Sequence, residues 1–151
     1  MLNRFEQFTS VISALCRDVQ KIERDEMEKQ GLRGAFAQYL LAISRYPEGI
    51  TAARLCEVCE KDKAAVSRIL AELEEAGMIL RENRNGSRYR AILLLTDRGQ
   101  EAAAAVVEKA RLAVELAGKG FGAEEREVFY RVLSIISGNL HKLCRDGLTK
   151  V

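Results

Sequence analysis

One proline, one histidine and no tryptophan stand among 151 residues. A single proline leaves long stretches free to be helical. With one histidine and no clustered carboxylates on an apolar wall, no nucleophile–base–acid set stands out. No glycine-rich phosphate loop is present either, and both absences argue against an enzyme. Opposite charges nearly cancel, 24 Lys and Arg against 22 Asp and Glu, for a formal net charge of +2. The chain as a whole is therefore no electrostatic magnet for nucleic acid, and such affinity has to come from local clustering. No apolar run is long enough to span a bilayer. The stretch Met1 to Asp18 mixes charges into its apolar residues and lacks the apolar core and small-residue cleavage site of a signal peptide. A cytoplasmic location with no membrane partner is the expectation, and Cys16, Cys56, Cys59 and Cys144 are then expected as thiols.

What is present reads as one mainly α domain. Phe5, Phe8, Ile12, Leu15, Cys16, Val19 and Ile22 recur in steps of three and four, which predicts a helix with one apolar face. Gly31 breaks that pattern. A second helix is expected from about Arg33 to Arg45, ended by Pro47, Glu48 and Gly49. Thr51 sits where an N-cap belongs, opening a short helix to about Val58. Asp62 is a second N-cap, opening a helix from Lys63 to about Ala76 in which Val66, Ile69, Leu70 and Leu73 share one face. Gly77 is its expected stop. Asn85-Gly86 between Ile79-Leu80 and Ile92 to Leu95 signals a two-stranded hairpin. Thr96 and Asp97 cap a long alanine-rich helix to about Ala117. A last helix is expected from about Ala123 to Arg145, with Phe129, Leu133, Ile136 and Leu140 on one face.

Two short capped helices followed at once by a basic hairpin form the winged helix-turn-helix arrangement, in which the second helix enters the major groove and the wing lies against the flanking backbone. With Val66, Ile69, Leu70 and Leu73 inward, the opposite face of the second helix presents Ala64, Arg68, Ala71 and Glu75. Its N-terminal half offers small residues, the Ser67 hydroxyl, Lys63 and Arg68, while Glu72, Glu74 and Glu75 crowd its C-terminal half. Phosphates are repelled from the acidic end and attracted to the N-terminal end, where the helix dipole assists. Arg68 is the candidate for direct readout, because guanidinium pairs bidentately with guanine. In the hairpin, Arg81, Arg84, Arg88 and Arg90 surround the turn and suit phosphate or minor-groove contact. The candidate DNA-contacting set is Thr51, Lys63, Ala64, Ala65, Ser67 and Arg68 from the helix pair, with Arg84, Asn85, Arg88 and Arg90 from the hairpin.

These residues resemble the MarR family of bacterial transcriptional regulators. The resemblance is carried by Gly49-Ile50-Thr51, Leu55, Asp62-Lys63-Ala64-Ala65-Val66-Ser67-Arg68, Leu73-Glu74, Gly77-Met78-Ile79 and Leu95-Thr96-Asp97-Arg98-Gly99, and its most specific part is Leu-Thr-x-x-Gly after a basic wing. It implies a homodimer whose first and last helices intertwine, so that the stripe of Phe5, Phe8, Ile12 and Leu15 and that of Phe129, Leu133, Ile136 and Leu140 become dimerisation residues. The implied organisation is a helical dimerisation region at 1–30 and 118–151, a DNA-binding domain at 31–96 and a connecting helix at 97–117. Implied partners are double-stranded DNA with a near-palindromic operator and a small anionic or phenolic effector, with repression relieved when that effector binds. No cofactor is implied. One departure is visible: many members carry an acid before the wing arginine, and here Ser87 holds that place, which leaves open which wing arginine reaches DNA.

The cysteines admit other readings. Cys56 and Cys59 form a Cys-x2-Cys, either half a metal site or a redox pair. A structural zinc takes four ligands, the lone His141 is remote in sequence, and Val58 and Leu55 interleave with the cysteines, which favours a core role and no metal. Cys16 falls on the apolar stripe, which predicts a buried thiol. One branch of the resembled family senses peroxide through a cysteine in the first helix, so a redox switch using Cys16 and Cys144 stays open. A winged-helix module that binds protein instead of DNA is the third class, and it would need no basic wing.

Overall fold

The computed structural model describes residues 3–83 and 91–147. In chain order it contains α1 (Arg4–Lys29), α2 (Phe36–Ser44), β1 (Ile50–Thr51), α3 (Ala52–Cys59), α4 (Lys63–Glu75), β2 (Ile79–Glu82), β3 (Ile92–Leu95), α5 (Asp97–Ala117) and α6 (Ala123–Asp146). The mainly α class is as the periodicity predicts. Two compact units divide the chain, Met1–Val114 and Glu115–Val151.

In the first unit α2 is the centre of the core, with Phe36, Ala37, Tyr39, Leu40, Ala42 and Ile43 all buried. Leu55 of α3, Val66, Leu70 and Leu73 of α4, Leu93 of β3 and Val106 of α5 close around it. Complete burial of each such side chain contributes about 1.5–3 kcal/mol. α1 runs to Lys29, a further two turns past the expected end near Ile22, because Met27 reaches this core and is fully buried. α2 starts at Phe36, three residues after Arg33.

The hairpin expected after α4 is part of a three-stranded antiparallel sheet in the order β1-β3-β2. β2 pairs with β3 from Ile79↔Leu95 to Glu82↔Ile92. The third strand was not expected: Ile50 and Thr51 pair with Leu93 and Ile92, so Thr51 ends a strand and caps a helix at once.

The second unit holds the last residues of α5 and all of α6. The Gly122 N–H donates to the Glu125 carboxylate at 2.8 Å, and Arg126 reaches the Gly118 carbonyl at 3.3 Å, which fixes the turn into α6. α6 buries none of its residues. No described helix is long and apolar enough to cross a membrane.

Candidate nucleic-acid interface

The site starts from two caps. Thr51 Oγ1 accepts from the Arg54 N–H at 3.2 Å and opens α3. Asp62 Oδ1 accepts from the Ala65 N–H at 2.9 Å and opens α4. That bond, with further help from the Ala64 and Asp62 N–H groups and the Arg68 charge, holds the Asp62 carboxyl below the ordinary aspartate range. The N-terminus of α4 thus already has an anion on it, so its dipole is less available to a phosphate than the sequence suggested.

Between the two helices the chain turns on Glu60 at φ +52, a left-handed backbone on a residue with a Cβ. The Lys61 N–H reaches back to the Cys56 carbonyl at 3.0 Å and the Glu60 N–H to the Glu57 carbonyl. α4 ends with the same hydrogen-bond pattern on Gly77, at φ +68: Met78 N–H to Leu73 O and Gly77 N–H to Glu74 O.

Val66, Leu70 and Leu73 seat α4 on the core, and Ile69 is half-buried. Lys63, Ala64, Ser67, Arg68, Ala71 and Glu75 are exposed, while Ala65 and Thr51 are half-buried. The face read from the sequence is therefore the face that is presented. The Arg68 Nε donates to the Ala64 carbonyl at 3.3 Å, which lays the guanidinium back along the N-terminal half of α4.

Two of the acids at the other end have partners. Glu72 pairs with Arg33 and Glu74 with Arg81, the latter at 2.8 Å. Arg81 is thereby turned onto α4. Its spacing in strand β2 could not reveal this pairing. Arg84, Asn85, Ser87, Arg88 and Arg90 lie outside the described residues.

The apolar stripes stay uncovered in this chain. Phe5, Phe8, Ile12 and Leu15 are exposed on α1, as are Phe129, Leu133 and Leu140 on α6, with Ile136 intermediate. Val107, Leu112 and Val114 of α5 are exposed apolar residues that the periodicity did not single out.

Cys16 is exposed in this single chain, as is the α1 stripe on which it falls, and so is Cys144. Cys56 and Cys59 are half-buried against the core. Burial first, and then Cys56, raises the Cys59 thiol pKa against the pull of Lys61 and Arg45. A raised thiol pKa keeps the sulfur protonated and works against the redox-pair reading. Among the described residues no group of three or more His, Cys, Asp or Glu is placed to hold a metal.

A cavity of about 450 Å³ opens beside α2, β3 and α5, walled by Ile43, Tyr46, Leu94 and Ala103. Among the described residues its lining contains Glu108 and no cation. Arg111 holds Glu108 ionised, below the ordinary glutamate range. A groove of about 370 Å³ between α2 and α4 is lined instead by Arg33, Lys61 and Arg68, with Tyr39, Ile69 and Glu72 among its other walls.

A family model described as MarR family matches residues 26–88, from the end of α1 through the helix pair into the wing. That stretch is similar to the MarR family. The crystal structure of MarR is 26% identical, superposes with a TM-score of 0.79, and is matched over 97% of this chain and 99% of that one. A MarR family transcriptional regulator from Listeria monocytogenes, solved in complex with 26mer DNA, is 20% identical at a TM-score of 0.76, covering 100% and 99% of the two chains. A MarR protein from Peptoclostridium difficile is 23% identical at a TM-score of 0.75, covering 93% and 92%. No curated protein sequence matches this chain. By that likeness of fold, α3 and α4 correspond to the helix-turn-helix of these structures, and β2 and β3 to the base of the wing.

Proposed function

We propose that this chain is a MarR-family protein, a dimeric, sequence-specific reader of double-stranded DNA that regulates transcription from a near-palindromic operator. The observation that carries the reading is the exposed N-terminal half of α4. There Lys63, Ala64, Ser67 and Arg68 face outward while Val66, Leu70 and Leu73 anchor the helix below. Small residues let the backbone approach base edges, and Arg68 supplies the donors for guanine. Lys63 and the wing residues Arg84, Asn85, Arg88 and Arg90 are assigned to the phosphates, which position the protein without reading sequence. A second copy of the chain is the occupant assigned to the uncovered stripes of α1 and α6, since a homodimer supplies the same apolar surface from both sides. The reading is of a cytoplasmic, non-catalytic protein acting as a repressor. An anionic effector fits the α2–α4 groove, where Arg68 would be drawn from DNA, better than the α5 cavity, whose charged lining residue is Glu108. Selection of bound duplexes from a random library tests the core of this reading. An enriched two-part sequence supports it, and no enrichment over input sinks it.

The exposure of Cys16 and Cys144 favours a second reading, a redox-sensing regulator in which two thiols lose two electrons and two protons to a peroxide and join as an intersubunit disulfide. Non-reducing gels decide it. A cross-linked dimer band that disappears in Cys16→Ser supports the switch, and unchanged DNA affinity after oxidation excludes it.

A further inference from the structure

The chain leaves α4 through three successive carbonyls, those of Ala76, Gly77 and Met78, and the first turn of α5 engages all three. One Arg98 guanidinium nitrogen donates to the Ala76 carbonyl at 2.9 Å. The Thr96 hydroxyl lies 2.7 Å from the Gly77 carbonyl and 3.1 Å from that of Met78, while the Thr96 N–H donates to Met78 at 3.0 Å. The same hydroxyl accepts from the Gly99 N–H at 3.1 Å, so it caps α5 while holding the end of α4. Gly99 lets the two backbones meet: a Cβ there would stand 2.0 Å from the Met78 carbonyl oxygen. Residues 18 to 22 apart in sequence are joined by these bonds; the Thr96 N–H bond continues the β2–β3 ladder one step past Ile79↔Leu95, and the Thr96 hydroxyl and Arg98 add to it from the side of α5.

We propose that this junction is a clamp that sets the direction of α4 relative to α5, and with it the separation at which the two reading helices of a dimer meet DNA. Thr96 and Arg98 are its positioning residues. The lever is long. α5 has 21 residues, about 31 Å at 1.5 Å per residue. A change of about 6° at its base moves the far end by about 3 Å, which is close to the rise of one base pair when a turn of 10–10.5 base pairs spans 34–36 Å. A loosened clamp therefore relaxes discrimination between half-site separations without touching the groups that face the bases.

The inference rests on the DNA-reading proposal, and the experiment separates the two. Full-length protein is titrated with duplexes from the selected sequence whose half-sites lie at the selected separation, one base pair closer or one base pair farther, and with a duplex carrying one half-site. Wild type is expected to prefer the selected separation by about tenfold or more. Thr96→Val and Arg98→Ala are expected to compress that preference to within about threefold, with affinity for the single half-site changed by less than about twofold. Thr96→Ser, which keeps the hydroxyl, restores the preference. Arg98 is exposed, so Arg98→Ala carries the test if Thr96→Val fails to fold. An undiminished preference in a folded variant overturns the clamp, as does an equal loss on single and paired half-sites. Absence of any duplex binding by wild type overturns the DNA reading itself.

Discussion

Replacing Gly99 by alanine sets two effects of opposite sign against each other. In an unobstructed helix the change stabilises by about 1 kcal/mol, because alanine loses less backbone entropy on folding. At Gly99 the new Cβ would lie 2.0 Å from the Met78 carbonyl oxygen. Close carbon–oxygen contacts settle near 3.3–3.6 Å, so the turn after α4 and the start of α5 have to part by roughly 1.3 Å. Overpacking of this kind costs about 1–3 kcal/mol. The displacement also stretches the Thr96 bonds to Gly77 and Met78, each contributing about 1 kcal/mol net. The clash wins, for a net loss of about 2–3 kcal/mol, or a fall of roughly 6–10 °C in Tm for a chain of this length. Gly138 is the control. It lies within α6 with nothing within 4 Å of an added Cβ, and nine positions from Phe129 place it half a turn away from the apolar stripe. Far-UV circular dichroism melts at equal protein concentration should show Gly99→Ala well below wild type and Gly138→Ala at or slightly above it. A Gly99→Ala midpoint at or above wild type refutes the close approach of α5 to the end of α4.

Two further outcomes follow from the helix ends. Glu60→Gly relieves a left-handed backbone at φ +52, a conformation that costs a residue with a Cβ about 1–2 kcal/mol. After the added entropy of glycine in the unfolded chain, urea denaturation should show a gain of about 0.5 kcal/mol. The Asp62 carboxyl is held below the ordinary aspartate range by the Ala65 N–H. Its contribution is therefore complete above the unfolded aspartate pKa and is lost as pH falls through the lower folded value. Asp62→Asn, which keeps a capping oxygen, should lose less stability between neutral and strongly acid pH than wild type, as followed by melts across that range.

The helix pair was legible because its signals are local. Thr51 and Asp62 cap, Gly77 stops, and apolar residues at 66, 70 and 73 assign one face of α4 to the core and the other to solvent. What stayed hidden depends on partners distant in sequence. Ile50 and Thr51 become a strand only because Leu93 and Ile92 lie alongside. Arg81 looks like one more wing cation until Glu74 is found beside it. Met27 extends α1 for a contact with a core made of later residues. Glu60 carries no residue signal for a left-handed turn, since glycine or asparagine is the usual marker. The motif Leu95-Thr96-x-x-Gly99 was recognisable as a pattern, but its reason, a close approach to the Met78 carbonyl, exists only in the fold.

Equilibrium binding to the selected duplex across a salt series, with a scrambled duplex beside it, tests DNA reading most directly. About six phosphate contacts per dimer predict log K falling against log salt with a slope near −5. The selected sequence should bind at least about 10³-fold more tightly than the scrambled one, and Arg68→Ala should lose about 1–3 kcal/mol of preference at one position in each half-site. A flat salt response, or equal affinity for the two duplexes, contradicts the assignment of α4 and the wing to DNA.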